Sequence, residues 1–411
     1  MSRQPTLDEA IERVVRSGNC SGCGACALLD AGIEMRLDER GYSRPVRVAP
    51  RPQSDPASEA AVVARFEASC PGVTVSAQNP PGATRHPTMG PVIQVFEAWA
   101  TDGGIRFAGS SGGVLTALST WLLDSGEAAR VIGAVADRSE PRRTVPVQLE
   151  TKEAALSAAG SRYAPVSNAS LPGALMPDTA FVGKPCEVSA LRALHGRGEG
   201  APLLLSFYCA GTPSQKATEM LSTQLGVSAT DRITGLWYRG HGWPGRFTVT
   251  RDDGSTVSAS YNESWGNTLG PTVQWRCKLC ADGVGESSDI TAADLWRADD
   301  RGYPDFAEGA GVSALIARTP RGLDVVQRAA AAGVIEVTPI EINALAAVQP
   351  LHRDRRSTLV GRLLGTVLAG GAIPRFRGFG LLALALPRLR ANWRTAKGSY
   401  RRRRALRGGD D

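Results

Sequence analysis

The chain has 411 residues, of which 42% are apolar and 21% charged, with a formal net charge of +7 and eight cysteines. That length allows two or three compact units of roughly 100–200 residues each, and the apolar fraction is ample for packed cores, which excludes a chain disordered throughout. From Arg353 to Asp411 there are 15 Lys and Arg against Asp354, Asp410 and Asp411, a net of +12, while the remainder carries 32 basic and 37 acidic residues, a net of −5; a mildly acidic body excludes an enzyme built around a Lys/Arg-lined nucleic-acid groove, and no specific nucleic-acid partner is expected.

At the N-terminus, Asp8, Glu9 and Glu12 fall where a secretory signal needs an uninterrupted apolar stretch. The longest apolar runs, such as residues 381–386, stop far short of the ~20 residues of a membrane-spanning helix. The expectation is a cytoplasmic chain. Thiols there stay reduced, so eight cysteines point to metal or redox work rather than to a disulfide frame.

Residues 1–90 read as an N-terminal metal-binding segment that ends in a polar, Pro/Gly-rich linker over 76–91. Cys20, Cys23 and Cys26 form two successive C-x2-C steps, which place three thiolates around one face of an iron–sulfur cubane, with small residues between them letting the backbone wrap it. Cys70-Pro71 supplies the dipeptide that closes such runs in bacterial ferredoxins, and Cys70 is the fourth expected ligand of a ferredoxin-like segment. A four-cysteine zinc site is the alternative.

From Val92 onward short apolar runs alternate with helical periodicity, the pattern of an α/β domain with α+β elements, here spanning 91–345 in two parts, 91–175 and 176–345. Gly109-Ser110-Ser111-Gly112-Gly113 precedes a helix in which Val114, Leu115, Leu118 and Leu122 recur at helical spacing and Gly126 marks the stop. Amides at such a helix start suit an anion such as a pyrophosphate, although the run equally fits a plain loop. Buried strands are expected at 131–135, 179–183 and 203–209, with helices beginning near Glu187 and Ser214. Cys186 and Cys209 each follow an apolar run, so adjacent parallel strands would bring them to the sheet edge at which open α/β sheets bind ligands. With Cys277 and Cys280 they make a second quartet; a zinc clip at Cys277/Cys280 plus two core cysteines is the other reading. Residues 246–261 alternate on both sides of Asp253-Gly254, an inserted antiparallel hairpin. A further strand and helix are expected over 312–332.

These residues carry a resemblance. Residues 109–113, Gly160-Ser161-Arg162-Tyr163, Val182-Gly183-Lys184-Pro185-Cys186, 207–214, Cys277-Lys278-Leu279-Cys280 and Asp289 to Trp296 follow one another in an order that resembles the coenzyme F420 hydrogenase/dehydrogenase beta-subunit family, over roughly residues 18–320. The resemblance implies an iron–sulfur flavoprotein in which two 4Fe-4S clusters and FAD relay electrons between a one-electron carrier such as ferredoxin and a two-electron substrate. The clusters fall to Cys20, Cys23, Cys26 and Cys70, and to Cys186, Cys209, Cys277 and Cys280; FAD falls to Gly109, Ser110, Ser111, Gly112, Gly113, Ser161, Arg162, Tyr163, Gly183 and Lys184. Family members include deazaflavin-coenzyme oxidoreductases and reductases of chlorophyll side groups, and this sequence is most similar to bacterial members that accompany polysaccharide-assembly genes. A zinc-stabilised, non-catalytic scaffold that binds a partner is the rival of a different class.

His241, in a glycine-punctuated loop, is the expected proton donor to a substrate reduced at the flavin, with a surface histidine as the plain alternative. Lys184 would stabilise the reduced anionic flavin or contact its phosphate. Trp243, Trp265 and Trp296 either stack on the ring system or pack the core, and His86, His195 and His352 show no partner spacing. Residues 346–411 form a basic amphipathic tail in which Phe376, Phe379, Leu381, Leu382 and Trp393 are interleaved with arginines, fitting either an anionic membrane surface, peripheral at its inner face and near lipid-linked or small-molecule substrates, or a solvated disordered tail.

Overall fold

The computed structural model of the protein describes residues 5–51, 55–296 and 307–407. Its centre is an eight-stranded mixed sheet built from β1 (Gln94–Ala100), β2 (Arg130–Ala136), β3 (Thr144–Leu149), β4 (Thr179–Gly183), β5 (Leu203–Phe207), β6 (Ile290–Asp294), β7 (Ser313–Ala317) and β8 (Ile335–Pro339). In space the order is β8-β1-β7-β6-β5-β4-β2-β3. The run β6-β5-β4-β2 is parallel and the flanking pairs are antiparallel. Leu203 and Leu205 enter one core cluster with Leu118, Leu315 and Val326, and Leu204 between them enters another with Phe181, Val188 and Leu191. Burial on both faces is why these strands read as continuous apolar runs rather than as alternating ones.

Helix Val114–Asp124 starts directly after Gly113, whose φ of 70° lies in the left-handed region that glycine adopts at least cost. Helix Pro185–His195 opens two residues before the expected Glu187, and Ser214 caps helix Gln215–Gln224. The hairpin appears as Arg246–Arg251 paired with Thr256–Ser260, and Ile233–Trp237 joins it as a third antiparallel strand.

Two expectations fail. The stretch 76–91 is not a linker: Thr84–His86 pairs with Gly90–Val92, Met89 is fully buried, and Arg85 forms an ion pair with the buried Glu286. Nor is 346–407 a solvated tail; residues 408–411 of that segment lie outside the described residues. Strand Arg375–Arg377 pairs in parallel with Thr74–Ser76 in the N-terminal segment. Helices Leu359–Leu368 and Leu389–Arg407 pack closely because Gly361 and Gly365 have no side chain where the Asn392 and Ala396 carbonyls approach. Phe379 is 3% exposed, under the guanidinium groups of Arg85 and Arg356. Part of the basic charge is engaged by the body: Arg356 pairs with Glu286 at 2.5 Å, and Arg355 donates to the carbonyls of Cys209 and Ala210. Among the described residues no helix is long and apolar enough to cross a membrane.

Candidate functional site

Cys20, Cys23, Cys26 and Cys70 line one small cavity, brought there by a glycine-rich loop and by the C-terminal end of helix Pro56–Ser69. Gly22 and Gly24 hold φ values of 71° and 89°, which let the loop fold round the thiols. Burial, with Cys20 beside it, pushes the Cys23 thiol up to about 11. Burial and then the neighbouring thiols raise Cys26 and Cys70 as well. Four thiols gathered in one cavity, with Cys23, Cys26 and Cys70 disfavoured as thiolates in the absence of a partner, are a site for a cationic core, whose binding expels their protons.

The ends of the parallel strands β4 and β5 carry Cys186 and Cys209 to one edge, with Ser206 opposite Gly183 in the register. Burial first, then Cys277 and Cys280, pushes Cys209 up to about 12. Cys280 is raised by burial and by Asp282 and Cys277. Cys186 lies between the two groups, its thiol raised by burial and by both Cys23 and Cys209. Among the described residues no three His, Cys, Asp or Glu side chains converge on the spacing of a single metal ion. A cubane interposes iron and sulfide between its thiolates and needs a wider ring than one ion.

Beyond Cys209 the sheet edge opens into a cavity of about 490 Å³, within the ~300–1,000 Å³ of small-molecule and cofactor sites. One wall is Gly109, Ser110, Ser111 and Gly113 with the first turn of helix Val114–Asp124, whose leading amides have no partner within the helix. Another part of the lining is aromatic, with Tyr163, Tyr261, Trp265 and Trp296. Three residues of this lining each also hold a buried side-chain atom with no hydrogen-bond partner within the protein: Asn168 Oδ1, Arg239 Nη2 and His352 Nδ1, the last set against Gly283. A polar, anionic, ring-bearing ligand such as a flavin nucleotide fits that set of groups.

The remaining expected residues divide. Ser161, Tyr163 and Lys184 reach the cavity. Lys184 is not a solvated lysine: its ammonium pairs with Glu187 at 2.6 Å and donates to the Val166 carbonyl, so its charge is already partnered. Arg162 also lines the cavity, but its guanidinium donates to Pro141, Arg143 and Leu236 carbonyls and stacks on Tyr238, tying loops together. Gly112 and Gly183 are outside the lining: a Cβ on Gly112 would meet the Ala98 carbonyl of β1, and one on Gly183 would meet the Phe181 ring. His241 is also outside it. At φ 55° it is exposed and stacks on Trp237, 4.7 Å between centroids, and Phe107, which fits the surface histidine rather than the proton donor.

Two residues to which the sequence assigned no role lie in the lining instead. Arg239, 2% exposed, pairs with Asp294 at 2.6 Å, donates from Nε to the Pro244 carbonyl, and lies over the rings of Trp243, Tyr261 and Trp296 at 4.9–5.2 Å. His352 comes from the supposed tail, which closes the cavity with Gln349 to His352; it packs edge-on to Tyr208, and burial together with Arg355 and Arg356 lowers its pKa to about 3. Only the tertiary fold brings either to the site. Because His352 is neutral when folded and takes a proton near pH 6.5 when unfolded, its contribution to stability is complete above that pH and declines as pH falls toward about 3. The expected result is that the melting-temperature gap between wild type and His352→Asn narrows from about pH 7 to about pH 5; a constant gap would show a solvated imidazole.

Two family profiles match the chain: the N-terminal region of the coenzyme F420 hydrogenase/dehydrogenase beta subunit over residues 95–171, and its C-terminal region over 177–343. The chain belongs to this family. Among curated relatives, the coenzyme F420 hydrogenase subunit beta of Methanothermobacter thermautotrophicus is 26% identical over 274 residues, covering 62% of this chain and 86% of its own length. Subunit beta of the F420-dependent formate dehydrogenase 1 of Methanococcus maripaludis is 26% identical over 206 residues, 48% of this chain and 51% of that protein. The F420-reducing [NiFe] hydrogenase complex of Methanosarcina barkeri contains a chain of similar fold, with a TM-score of 0.51 at 21% identity, covering 66% of this chain and 91% of that one. In this beta-subunit-family chain the matched stretches hold the 109–113 loop, Cys186 to Cys280 and Arg239, while the first cysteine quartet and His352 lie outside them.

Proposed function

We propose that this chain is an iron–sulfur flavoprotein oxidoreductase that relays electrons between a one-electron carrier such as ferredoxin and a two-electron acceptor. The observation that carries this reading is the continuity of the eight thiols with the large cavity. Cys20, Cys23, Cys26 and Cys70 share one pocket, Cys186 is influenced by both Cys23 and Cys209, and Cys209, beside Cys277 and Cys280, lines the cavity. In this reading each quartet holds a 4Fe-4S cluster and the cavity holds FAD; the clusters supply single-electron transfer, and the flavin joins it to two-electron chemistry.

The chain's own residues set the surroundings. The 109–113 loop and helix start take the phosphates, and Arg239, held cationic by Asp294, sets a positive charge in the wall. The Lys184–Glu187 pair holds the β4 end and thereby Cys186. Tyr208 and the Gln349–His352 segment close the far side against water. The relatives are named as subunits or come from a complex, which supports a role beside partner subunits. The coenzyme F420 in the relatives' names favours a deazaflavin over a chlorophyllide-type substrate.

The test is a count of iron, sulfide and flavin per chain on anaerobically purified protein, with Cys23→Ser beside wild type. The expected result is two clusters and one flavin in wild type and loss of about half the iron with flavin retained in C23S. Colourless, zinc-loaded wild type would replace the relay by a scaffold, and joint loss of all iron and flavin in C23S would overturn the two-quartet division.

A further inference from the structure

The outer surface of the C-terminal helices is not used by the electron relay, and its composition is inverted. Helix Leu389–Arg407 and the turns that lead into it, from Leu381, face the protein with small and polar side chains: Asn392, Ala396 and Ser399 are buried, and Gly361 and Gly365 receive the backbone of the first two. The large apolar side chains point the other way. Leu382, Leu386, Leu389 and Trp393 are 72, 66, 65 and 59% exposed. Their spacing of four, three and four residues is the repeat that keeps side chains on one helix face. A helix whose only solvent is water buries such a row; this one presents it.

The row continues through Lys397, whose ammonium lies 5.3 Å from the Trp393 ring centroid, to Tyr400 and Arg404, 6.0 Å apart by the same measure. Arg390, Arg394, Arg401 and Arg402 are exposed on the same helix, and residues 355–409 contain no Asp or Glu. Apolar depth flanked by cations and interfacial aromatics complements a layer that is anionic at its surface and apolar beneath it. A second copy of this chain would instead set two rows of cations against each other, which disfavours self-association.

We infer that the segment from Leu381 to Arg404 docks the protein on an anionic phospholipid bilayer, lying in the interface plane with Leu382, Leu386, Leu389 and Trp393 at the acyl boundary and the arginines among the phosphates. Phe376 and Phe379, which the sequence pattern groups with this surface, are excluded from it because they pack inward beneath Arg276 and Arg356. The docking is independent of cofactor content and would bring the cavity to lipid-linked or membrane-held reaction partners.

The experiment is co-sedimentation of the full-length, cofactor-loaded protein with vesicles of phosphatidylcholine alone and of phosphatidylcholine mixed with phosphatidylglycerol. Leu389→Ser/Trp393→Ser and Arg390→Gln/Arg394→Gln are run beside wild type. All four side chains are exposed, so circular dichroism and iron content matching wild type confirm that the variants are folded. Wild type is expected to partition to the mixed vesicles only and to be released by high salt. The arginine variant is expected to partition about 25-fold less, from about fivefold, or ~1 kcal/mol, per cation, and the Leu/Trp variant to lose most of its binding. Equal binding to both vesicle types, binding to neither, or unchanged binding of both variants would overturn the proposal. So would a concentration-dependent dimer that these same substitutions abolish, since the row would then belong to a second copy.

Discussion

Cutting the chain before Pro374 is expected to remove the iron of the N-terminal quartet while leaving flavin bound. Strand Arg375–Arg377 pairs with Thr74–Ser76, which begins four residues after Cys70. Its backbone continues that contact on both sides, Arg375 donating to the Val73 carbonyl and Ala77 to that of Arg377, each at 2.8 Å. The other end of the quartet is tied as well: the Arg403 guanidinium donates to the Ser17 carbonyl at 2.9 Å, three residues before Cys20, and Arg276 bridges Pro71 to the Phe376 ring. Losing the buried Phe379 alone removes a core side chain whose truncation costs ~3–5 kcal/mol, and Leu359 and Val75 in the same cluster are then exposed. The cavity wall at Gln349 to His352 lies before the cut, so the cavity proposed to hold the flavin keeps its lining. Iron and flavin measured on the same anaerobic preparation decide the matter. A truncated protein with its full iron and the melting temperature of wild type would make the last residues an appendage after all.

What the sequence discloses here is whatever is encoded locally. The C-x2-C steps, the strand at 179–183 followed by Cys186, the helix after Gly113 and the hairpin at Asp253-Gly254 each rest on neighbours a few residues apart, and the fold keeps all of them. The family resemblance was legible for the same reason, as an ordered series of short motifs, and two profiles cover that stretch. Long-range pairing is what composition conceals. The tail reads as a solvated charge run because Arg355 and Arg356 find the Cys209 carbonyl and Glu286 only after the chain has folded across 70 residues or more. Gly112 is attractive as a phosphate contact for the same helix-start reason as Gly113, yet its missing side chain makes room for β1, and a Gly112→Val change would disturb the sheet before it reached any ligand. In the loop 238–244 an imidazole draws attention through its pKa, but the left-handed backbone at His241 turns it to solvent and the neighbouring Arg239 inward.

Arg239→Met is therefore expected to have a large effect on both stability and flavin retention, for separable reasons. The substitution leaves the Asp294 carboxylate without its ion pair and the Pro244 carbonyl without its donor, and takes the cation from between the rings of Trp243, Tyr261 and Trp296. Removing one member of a buried pair costs ~3–5 kcal/mol. Asp294 keeps 23% of its side-chain exposure, so the lower end of that range is expected. Loss of the ligand has a different origin: Arg239 is part of the cavity lining and carries its positive charge there, and an interaction of a charged donor with an anionic ligand contributes ~1.5–3 kcal/mol, roughly a 10- to 150-fold change in affinity. A second variant separates the two. Arg239→Met with Asp294→Asn removes the unpaired charge and should recover part of the melting temperature while flavin affinity stays low. Arg239→Lys keeps the charge but not the planar fork that reaches Asp294, Pro244 and the cavity at once, and should fall between wild type and R239M in both measurements. Flavin titration of the apoprotein forms, read by fluorescence beside thermal denaturation, gives the two quantities independently. If R239M binds flavin as tightly as wild type, Arg239 acts only as the clamp between the hairpin loop and β6.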